Sequence, residues 1–424
     1  VTDAQTDLRA EPQTPASTRG LIAWAMYDWA NSAFTTIIIT FVFATYFAKG
    51  IVGNEHLGAS YWGYAMGLSG LSIAILAPIF GAIADIGGRR KPWIAGCTAV
   101  CVGATALLSF MMPDPAFILP ALILVAIANI GFEMGVVFNN AMLPDIVSQQ
   151  RLGRLSGWAW GLGYVGGLAC LVVILTGFDL DSNAQVRATS LLVAIWFAVF
   201  SVPLFLWTPD QPSSGRSVGR AISEGLTLLG RTLRDVREHR VIVRFLVAHM
   251  VYGDGLVTLF AMGGVFAQST YGMTTTEVLQ FAVIINVTAG LGAAAFGWID
   301  DRIGSKTTIL ISLLALAAIG AAILTVDDKT TFLILGAALG IFFGPAQAAS
   351  RSMMARLVPQ GKETEMFGLY ALSGKATTFL GPLTFGLATA AFDSARAGMA
   401  TILVFFLAGA VLLSTVPATK HAGR

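Results

Sequence analysis

Apolar residues in this chain run on for 18 to 28 positions instead of alternating with polar ones at a strand or helix-face period. Twelve such runs lie near Leu21 to Ala48, Tyr61 to Ala84, Trp93 to Met112, Phe117 to Leu143, Leu155 to Thr176 and Ala188 to Thr208, then Val241 to Gln268, Val278 to Ile299, Thr308 to Thr325, Phe332 to Leu357, Met366 to Ala391 and Gly398 to Val416. Crossing the hydrocarbon of a bilayer takes roughly 20 mostly apolar helical residues. The pattern therefore predicts an all-α membrane protein of twelve spans in two six-helix halves. Between the halves, Pro209 to Gly215 can neither span nor pack. Beyond it, Val218, Ile222, Leu229, Leu233 and Val236 recur at helical spacing among Arg216, Arg220, Arg231, Arg234 and Arg237. This predicts an amphipathic helix lying on the cytoplasmic leaflet. The expected organisation is a tail over 1–20, a half over 21–208, a linker over 209–240, a half over 241–417 and a tail over 418–424.

Charge orients these spans. Cytoplasmic loops hold an excess of Lys and Arg. Only Lys49, Arg187, Lys329 and Arg396 fall in loops on one face, and Arg351 and Lys375 fall inside apolar runs; the rest of the 26 lie at the termini or in even-numbered loops. Both termini are thus expected in the cytoplasm, in a bacterial inner membrane. The first twenty residues carry no apolar core of a cleavable signal, so the first span is expected to target the chain. A 55% hydrophobic, 12% charged composition with mean hydropathy +0.73 excludes an ordinary soluble domain. The net charge of +2 says nothing about partners. A positive-inside loop accounts for the linker arginines, so no nucleic acid is expected. Cys97, Cys101 and Cys170 all fall in spans without His or acidic neighbours and read as small packing residues, with no metal.

One short pattern occurs twice, half a chain apart: Gly81-x-x-x-Asp85-x-x-Gly88-Arg89-Arg90-Lys91 and Gly297-x-x-x-Asp301-Arg302-x-Gly304-Ser305-Lys306. Two copies at that distance point to two equivalent halves around a central site. The glycines let helix ends approach closely. Asp85 and Asp301 can accept from the exposed N–H groups of a neighbouring helix start, where the dipole favours negative charge. Arg89, Arg90, Arg302 and Lys306 are expected to pair with acids at the same face, Asp145 and Glu363 being the candidates. Such a cytoplasmic gate would exist only while that side is closed, and so would bias the outward-facing state.

The doubled signature, the span number and the long middle loop resemble the major facilitator superfamily over nearly the whole chain. Finer likeness comes from Ala23-Trp-Ala-Met-Tyr27-Asp28-Trp29-Ala-Asn31-Ser32-Ala-Phe34, Asn139-Asn140-Ala-Met-Leu-Pro144-Asp145, Gln347-Ala-Ala-Ser350-Arg351-Ser352 and Phe367-Gly-Leu-Tyr370-Ala-Leu-Ser373-Gly-Lys375. Together these resemble the group that includes the vacuolar amino-acid effluxers of fungi. The resemblance implies a solute transporter with amino acids as the leading substrate class. Movement from a vacuole lumen to the cytosol corresponds to uptake across a plasma membrane.

Charges inside spans are costly and tend to pair, face a cavity or carry function. Asp28, Glu133 and Asp254 supply acids, Arg351 and Lys375 bases. A zwitterion would fit between them, with its ammonium near Asp28 and Glu133 and its carboxylate near Arg351 or Lys375; the plainer reading is that these groups pair and lock the halves. Tyr27, Asn31, Asn140, Gln347 and Tyr370 are expected to line the same site, while Asn129, Asn139, Asn286, Trp158, Trp160 and Tyr164 read equally as packing or interfacial groups. Asp28 and Glu133 are the candidates for coupling to H+, and with Asn31 they would also suit Na+. His249, on the same helix as Asp254, reads first as packing and second as a relay. Glycines at 336, 340 and 344 and between 157 and 167 suit close or sliding helices, and Pro78, Pro345 and Pro382 suit kinks. No phosphate loop or ligand-spaced histidine is present, so neither an enzyme nor a bound cofactor is expected. The expected partners are a small solute and lipid, with the chain acting as a monomer. A cation-coupled sugar symporter, a lipid transporter and a non-transporting sensor are the alternatives.

Overall fold

The computed structural model describes residues 14–216, 218–234 and 239–417. Arg9, Val236, Arg237, Lys420 and Arg424, the last tail over 418–424 and most of the first tail lie outside them. Among the described residues, eleven helices are long and apolar enough to cross a membrane: Thr18–Ile51, Glu55–Gly87, Lys91–Phe110, Pro115–Ile146, Gln149–Gly177, Asn183–Trp207, Arg240–Tyr271, Thr276–Ile303, Ser305–Thr325, Lys329–Leu357 and Ala395–Ser414. Between the last two, Glu363–Lys375 and Leu380–Phe392 form a broken path. It is the eleventh of twelve spans. Local chemistry sets the helix starts: Asn54 caps the second span through the N–H of Leu57 at 3.0 Å, and Thr274 and Glu277 form a capping box on the eighth.

Two departures from regular helix have sequence causes. The first span widens to a π-helix over Phe34–Phe41. There Thr35 to Thr40 is an unbroken β-branched run, whose side chains crowd the preceding turn of an α-helix. The hydroxyl of Thr40 donates to the carbonyl five residues back, Thr35 O, at 2.9 Å. In the eleventh span the break falls at 376–379, so Pro382 sits in the first turn of the second piece, where a missing N–H leaves no internal bond unmade. Pro78 and Pro345 lie within continuous helices.

The two sets of six spans meet along two seams, the second span against the eleventh and the fifth against the eighth. Glycine makes both contacts possible. A Cβ on Gly81 would lie 2.4 Å from Thr364 O and one on Gly368 2.5 Å from Ala77 O; on the other seam, one on Gly157 would lie 2.3 Å from Ala293 O. The glycines at 336, 340 and 344 act elsewhere, seating Phe281, Thr288 and Ala289 within the second set of spans. They are static packing, not a sliding face.

The repeated motif closes one end of both seams. Asp85 accepts from the N–H groups of Thr364 (2.9 Å) and Glu365 (2.8 Å), the start of the eleventh span. Asp301 does the same for Gly153 (2.8 Å) and Arg154 (3.2 Å), the start of the fifth. Each motif carboxylate thus satisfies orphan donors of a helix in the opposite half. Gly88 and Gly304, at φ 85° and 90°, end their helices in backbone conformations that favour glycine. Arg90 bonds Asp145, Glu363 Oε2 (2.9 Å) and Thr364 Oγ1 (3.0 Å). The other expected cations behave differently. Arg89 and Arg302 are exposed and make no ion pair among the described residues, because their side chains point away from the seams. Lys306 reaches the carbonyls of Ser414 (2.8 Å) and Val416 (2.5 Å) at the end of the last span. The role foreseen for them falls to Arg356, which bonds Asp300 Oδ1 (2.7 Å), Asp301 Oδ1 (3.2 Å) and Ser305. The first and last described segments approach this same, basic end: Thr14 N bonds Asp145 O at 3.0 Å, and Val416 O accepts from Lys306.

The helix Val218–Arg234 packs one face on the second span and leaves Ile222 and Leu226 exposed on another. Ala221, Leu229 and Thr232 are buried, and a Cβ on Gly225 would lie 2.9 Å from the backbone of Ile83. Its face matches a protein groove because small residues recur on it.

Spin labels on Arg89 and Arg302, one in each half, should report this closure. Gly157→Ala or Asp301→Ala should move their distance distribution toward longer values, because hydrogen bonds to charged groups contribute about 1.5–3 kcal/mol each, at least a tenfold bias. An unchanged distribution in both variants would mean the seams do not set the equilibrium.

Candidate functional site

Inward of the basic-end clamp the two halves exchange charges. The Arg351 guanidinium of the tenth span reaches across the interface: Nη1 donates to Asp28 Oδ2 at 2.7 Å and to Asn140 Oδ1 at 3.3 Å, Nε to Ser156 Oγ at 2.9 Å and Nη2 to Ser156 O at 2.6 Å. Trp24 and Trp160 flank it, with ring centroids 5.2 and 5.6 Å from the guanidinium carbon. A second pair, Lys375 Nζ to Glu133 Oε1 at 2.6 Å, joins the eleventh span to the fourth. Its partners remain 30% and 19% exposed, against 4% and 12% for Arg351 and Asp28, so the second pair is the more accessible. In both pairs the acid comes from the first half and the base from the second.

A cavity of about 330 Å³ lies next to the first pair. The first and fifth spans contribute Ser32, Thr35, Thr36, Trp160 and Tyr164 to it, positions that follow Asp28 and Ser156 away from the basic end; the tenth contributes Phe343 and Gln347, which precede Arg351 as that span descends. Asp28 and Arg351 therefore stand between the cavity and the closed end. Across the cavity Tyr164 donates to Gln347 Oε1 at 2.7 Å, and Asn286 joins the wall. Phe41, Phe260 and Phe343 continue from this wall into an apolar recess of about 250 Å³. The π-helical stretch of the first span presents Thr35, Thr36, Thr40 and Phe41 to these spaces, so the irregular backbone occurs where a cavity is lined.

The residues expected at the site divide into several environments. Asp28, Asn140 and Arg351 share one network, Glu133 and Lys375 another, and Gln347 lines the cavity. Asn31, one turn beyond Asp28, is buried with its amide nitrogen unpartnered, an available donor. Asp254 is 3% exposed and has no Lys or Arg within ion-pair distance among the described residues. Tyr27 does not reach the cavity: it is fully buried and hydrogen-bonds Thr98 in the third span at 2.9 Å, because it faces into its own half. Tyr370 stacks on His249 at a centroid distance of 4.2 Å, and His249 Nδ1 lies 2.8 Å from Ser373 Oγ, an arrangement of packing. Asn129 bonds Ser69, and Trp158 packs edge-on against Trp298 at an exposed position.

Sequence reading missed Ser156, Asp300 and Arg356. Ser156 stands among glycines and reads as a small packing residue, yet it receives two bonds from Arg351. Arg356 reads only as one more positive-inside charge. The signal available was the Asp300-Asp301 doublet, one carboxylate more than the motif requires.

Arg351→Gln should lower the thermal midpoint in detergent, followed by tryptophan fluorescence, because leaving Asp28 buried without a cation costs about 3–5 kcal/mol. Asp28→Asn combined with Arg351→Gln should recover much of the loss. Equal midpoints for wild type and Arg351→Gln would contradict the pairing.

A family model described as "Vacuole effluxer Atg22 like" matches residues 47–423. Among curated proteins, the uncharacterized MFS-type transporter YxiO of Bacillus subtilis is 26% identical over 407 residues, covering 93% of this chain and 94% of that one. Autophagy-related protein 22 of Coccidioides immitis is 23% identical, covering 88% and 75%. The fold is that of the proton:xylose symporter XylE, with TM-score 0.75 and 14% identity over 95% of this chain and 96% of that one. It is also that of the human organic anion transporter MFSD10, with TM-score 0.72 and 18% identity over 93% and 99%. A motif-closed twelve-span fold and a family match over most of the length agree: the chain belongs to the Atg22-like vacuole effluxer family of major facilitator membrane transporters.

Proposed function

We propose that this transporter moves small zwitterionic, amino-acid-like solutes, driven by protons, with its basic end in the cytoplasm of a bacterial plasma membrane and residues 21–208 and 241–417 rocking as two bodies. The observation that carries the reading is the two cross-half ion pairs, Asp28 with Arg351 next to the cavity and Glu133 with Lys375 between the fourth and eleventh spans. In this orientation the closed end is cytoplasmic, the cavity faces outward and net movement is uptake.

The charge arrangement supports a zwitterion for an energetic reason. A ligand that takes a carboxylate from its guanidinium or ammonium partner must replace both interactions, since a buried charge left alone costs several kcal/mol. An amino acid does this with its ammonium on Asp28 or Glu133 and its carboxylate on Arg351 or Lys375. A simple amine or carboxylic acid replaces one side only. The family description, a vacuole effluxer, agrees with movement out of a lumen equivalent to the outside. A sugar is the second reading, favoured by the hydroxyl and amide wall of Ser32, Thr35, Thr36, Asn286 and Gln347.

Uptake of a labelled amino-acid panel into liposomes holding the purified protein tests the reading. Uptake should rise with an inward proton gradient and be lost in Asp28→Asn; amines and carboxylic acids bearing a single charge should compete at least tenfold more weakly than amino acids, as about 1.4 kcal/mol of unmatched charge suffices for that. Uptake of sugars alone would replace the substrate class.

A further inference from the structure

We infer that Asp254, on the seventh span against the break in the eleventh, is the group that carries the driving proton. This rests on the reading of the protein as a proton-driven transporter and moves the proton from the acids that pair across the halves to one that does not.

Asp28 and Glu133 each face a cation, at 2.7 and 2.6 Å. A proton added to either would leave Arg351 or Lys375 uncompensated. Asp254 is the reverse case. It is as deeply buried as Arg351, both at 3%, yet the cations on every helix packed against it pair elsewhere or face solvent. On the tenth span Arg351 holds Asp28, Arg356 holds Asp300 and Asp301, and Lys329 holds Glu277 of the eighth; Asp301 also holds Arg154, and Arg302 is exposed. On the eleventh, Lys375 holds Glu133, Glu363 holds Arg90, and Glu365, buried with both carboxylate oxygens unpartnered, lies at the basic end. On the twelfth, Arg396 holds Asp327 in the opposite loop. The titratable groups nearer by are engaged with other residues: His249 with Ser373, Tyr252 with Ser350 and Tyr370 stacked on His249. A lone ionised carboxylate so placed is costly, and a proton removes the cost.

The surroundings are built to receive one. Thr377, in the break, lies near the Asp254 carboxyl and has a buried hydroxyl without a hydrogen-bond partner. Thr258, one turn after Asp254, packs so closely on the second piece of the broken span that a Cβ on Gly381 would meet its Oγ1 at 1.8 Å. On the other side, a Cβ added to Gly253 would meet nothing within 4 Å, so the backbone beside Asp254 borders open space, and Leu256 and Val257 just beyond line the cavity. A proton from outside water would bond an Asp254 oxygen, and that O–H bond would break to cytoplasmic water after the halves rock. Thr377 lies two residues from Lys375, so the break connects the proton site to the Glu133 pair.

The purified full-length protein in liposomes provides the test. In Asp254→Asn, exchange of labelled for unlabelled amino acid across the membrane should persist while accumulation driven by a proton gradient is lost. Infrared difference spectra between acidic and alkaline buffer should contain a protonated-carboxyl band in wild type that Asp254→Asn lacks. Undiminished proton-driven accumulation in Asp254→Asn, retention of that band, or accumulation that follows a sodium gradient instead would each overturn the assignment. Should Asp254→Asn fail to fold, Asp254→Glu decides: a displaced pH dependence of accumulation supports the proposal and an unchanged one opposes it. If wild type exchanges no amino acid, the substrate reading fails, and the infrared band alone judges Asp254.

Discussion

A bilayer interior offers a charge no water, so each ionised side chain there needs an answering charge or a ring of donors. In this chain the answers come mostly from the other half. Arg351 leaves the second half to meet Asp28, Asn140 and Ser156 in the first, and Lys375 does the same with Glu133. The cavity, the glycine seams and the basic-end clamp can all be understood around this requirement. Helices must come close enough for side chains to reach across, glycine permits that approach, and a space must remain where a ligand can take over the pairing.

Guanidinium chemistry suits the first of these pairs better than an ammonium would. A planar fork addresses a carboxylate, an amide and both a hydroxyl and a carbonyl of Ser156 at once, with indole rings near its faces. Lys375 is a point charge on a flexible stem, more exposed and beside a helix break. The two cross-half contacts thus differ in stiffness, one anchored by several fixed bonds and one held by a single bond from a mobile group.

Much of the architecture was legible because membrane solvation acts on composition. Apolar length gave the spans, Lys and Arg distribution identified the basic end, and the doubled motif announced two related halves. The aspartates of that motif were legible down to their partners, since a carboxylate near a helix start has few better uses. What sequence left hidden depends on direction and depth. Arg89 and Arg90 are adjacent letters, yet only one points into the seam. Tyr27 and Asp28 are likewise neighbours, and helical rotation turns one into its own half and the other toward Arg351. Ser156 hid among glycines because a hydroxyl in a small-residue stripe carries no mark of its acceptor. The break near Lys375 was signalled by Pro382, but the proline sits just after the break, where its ring is harmless.

The two motif aspartates have a consequence for cooperativity. Asp85 belongs to the first half and caps a helix of the second; Asp301 belongs to the second and caps a helix of the first. Neither half can withdraw while keeping its own donors satisfied, so each is both lender and borrower at the basic end. With rigid helices behind both seams, releasing one cap strains the other. Opening this end would require both caps to break, which couples the two seams through one pair of carboxylates.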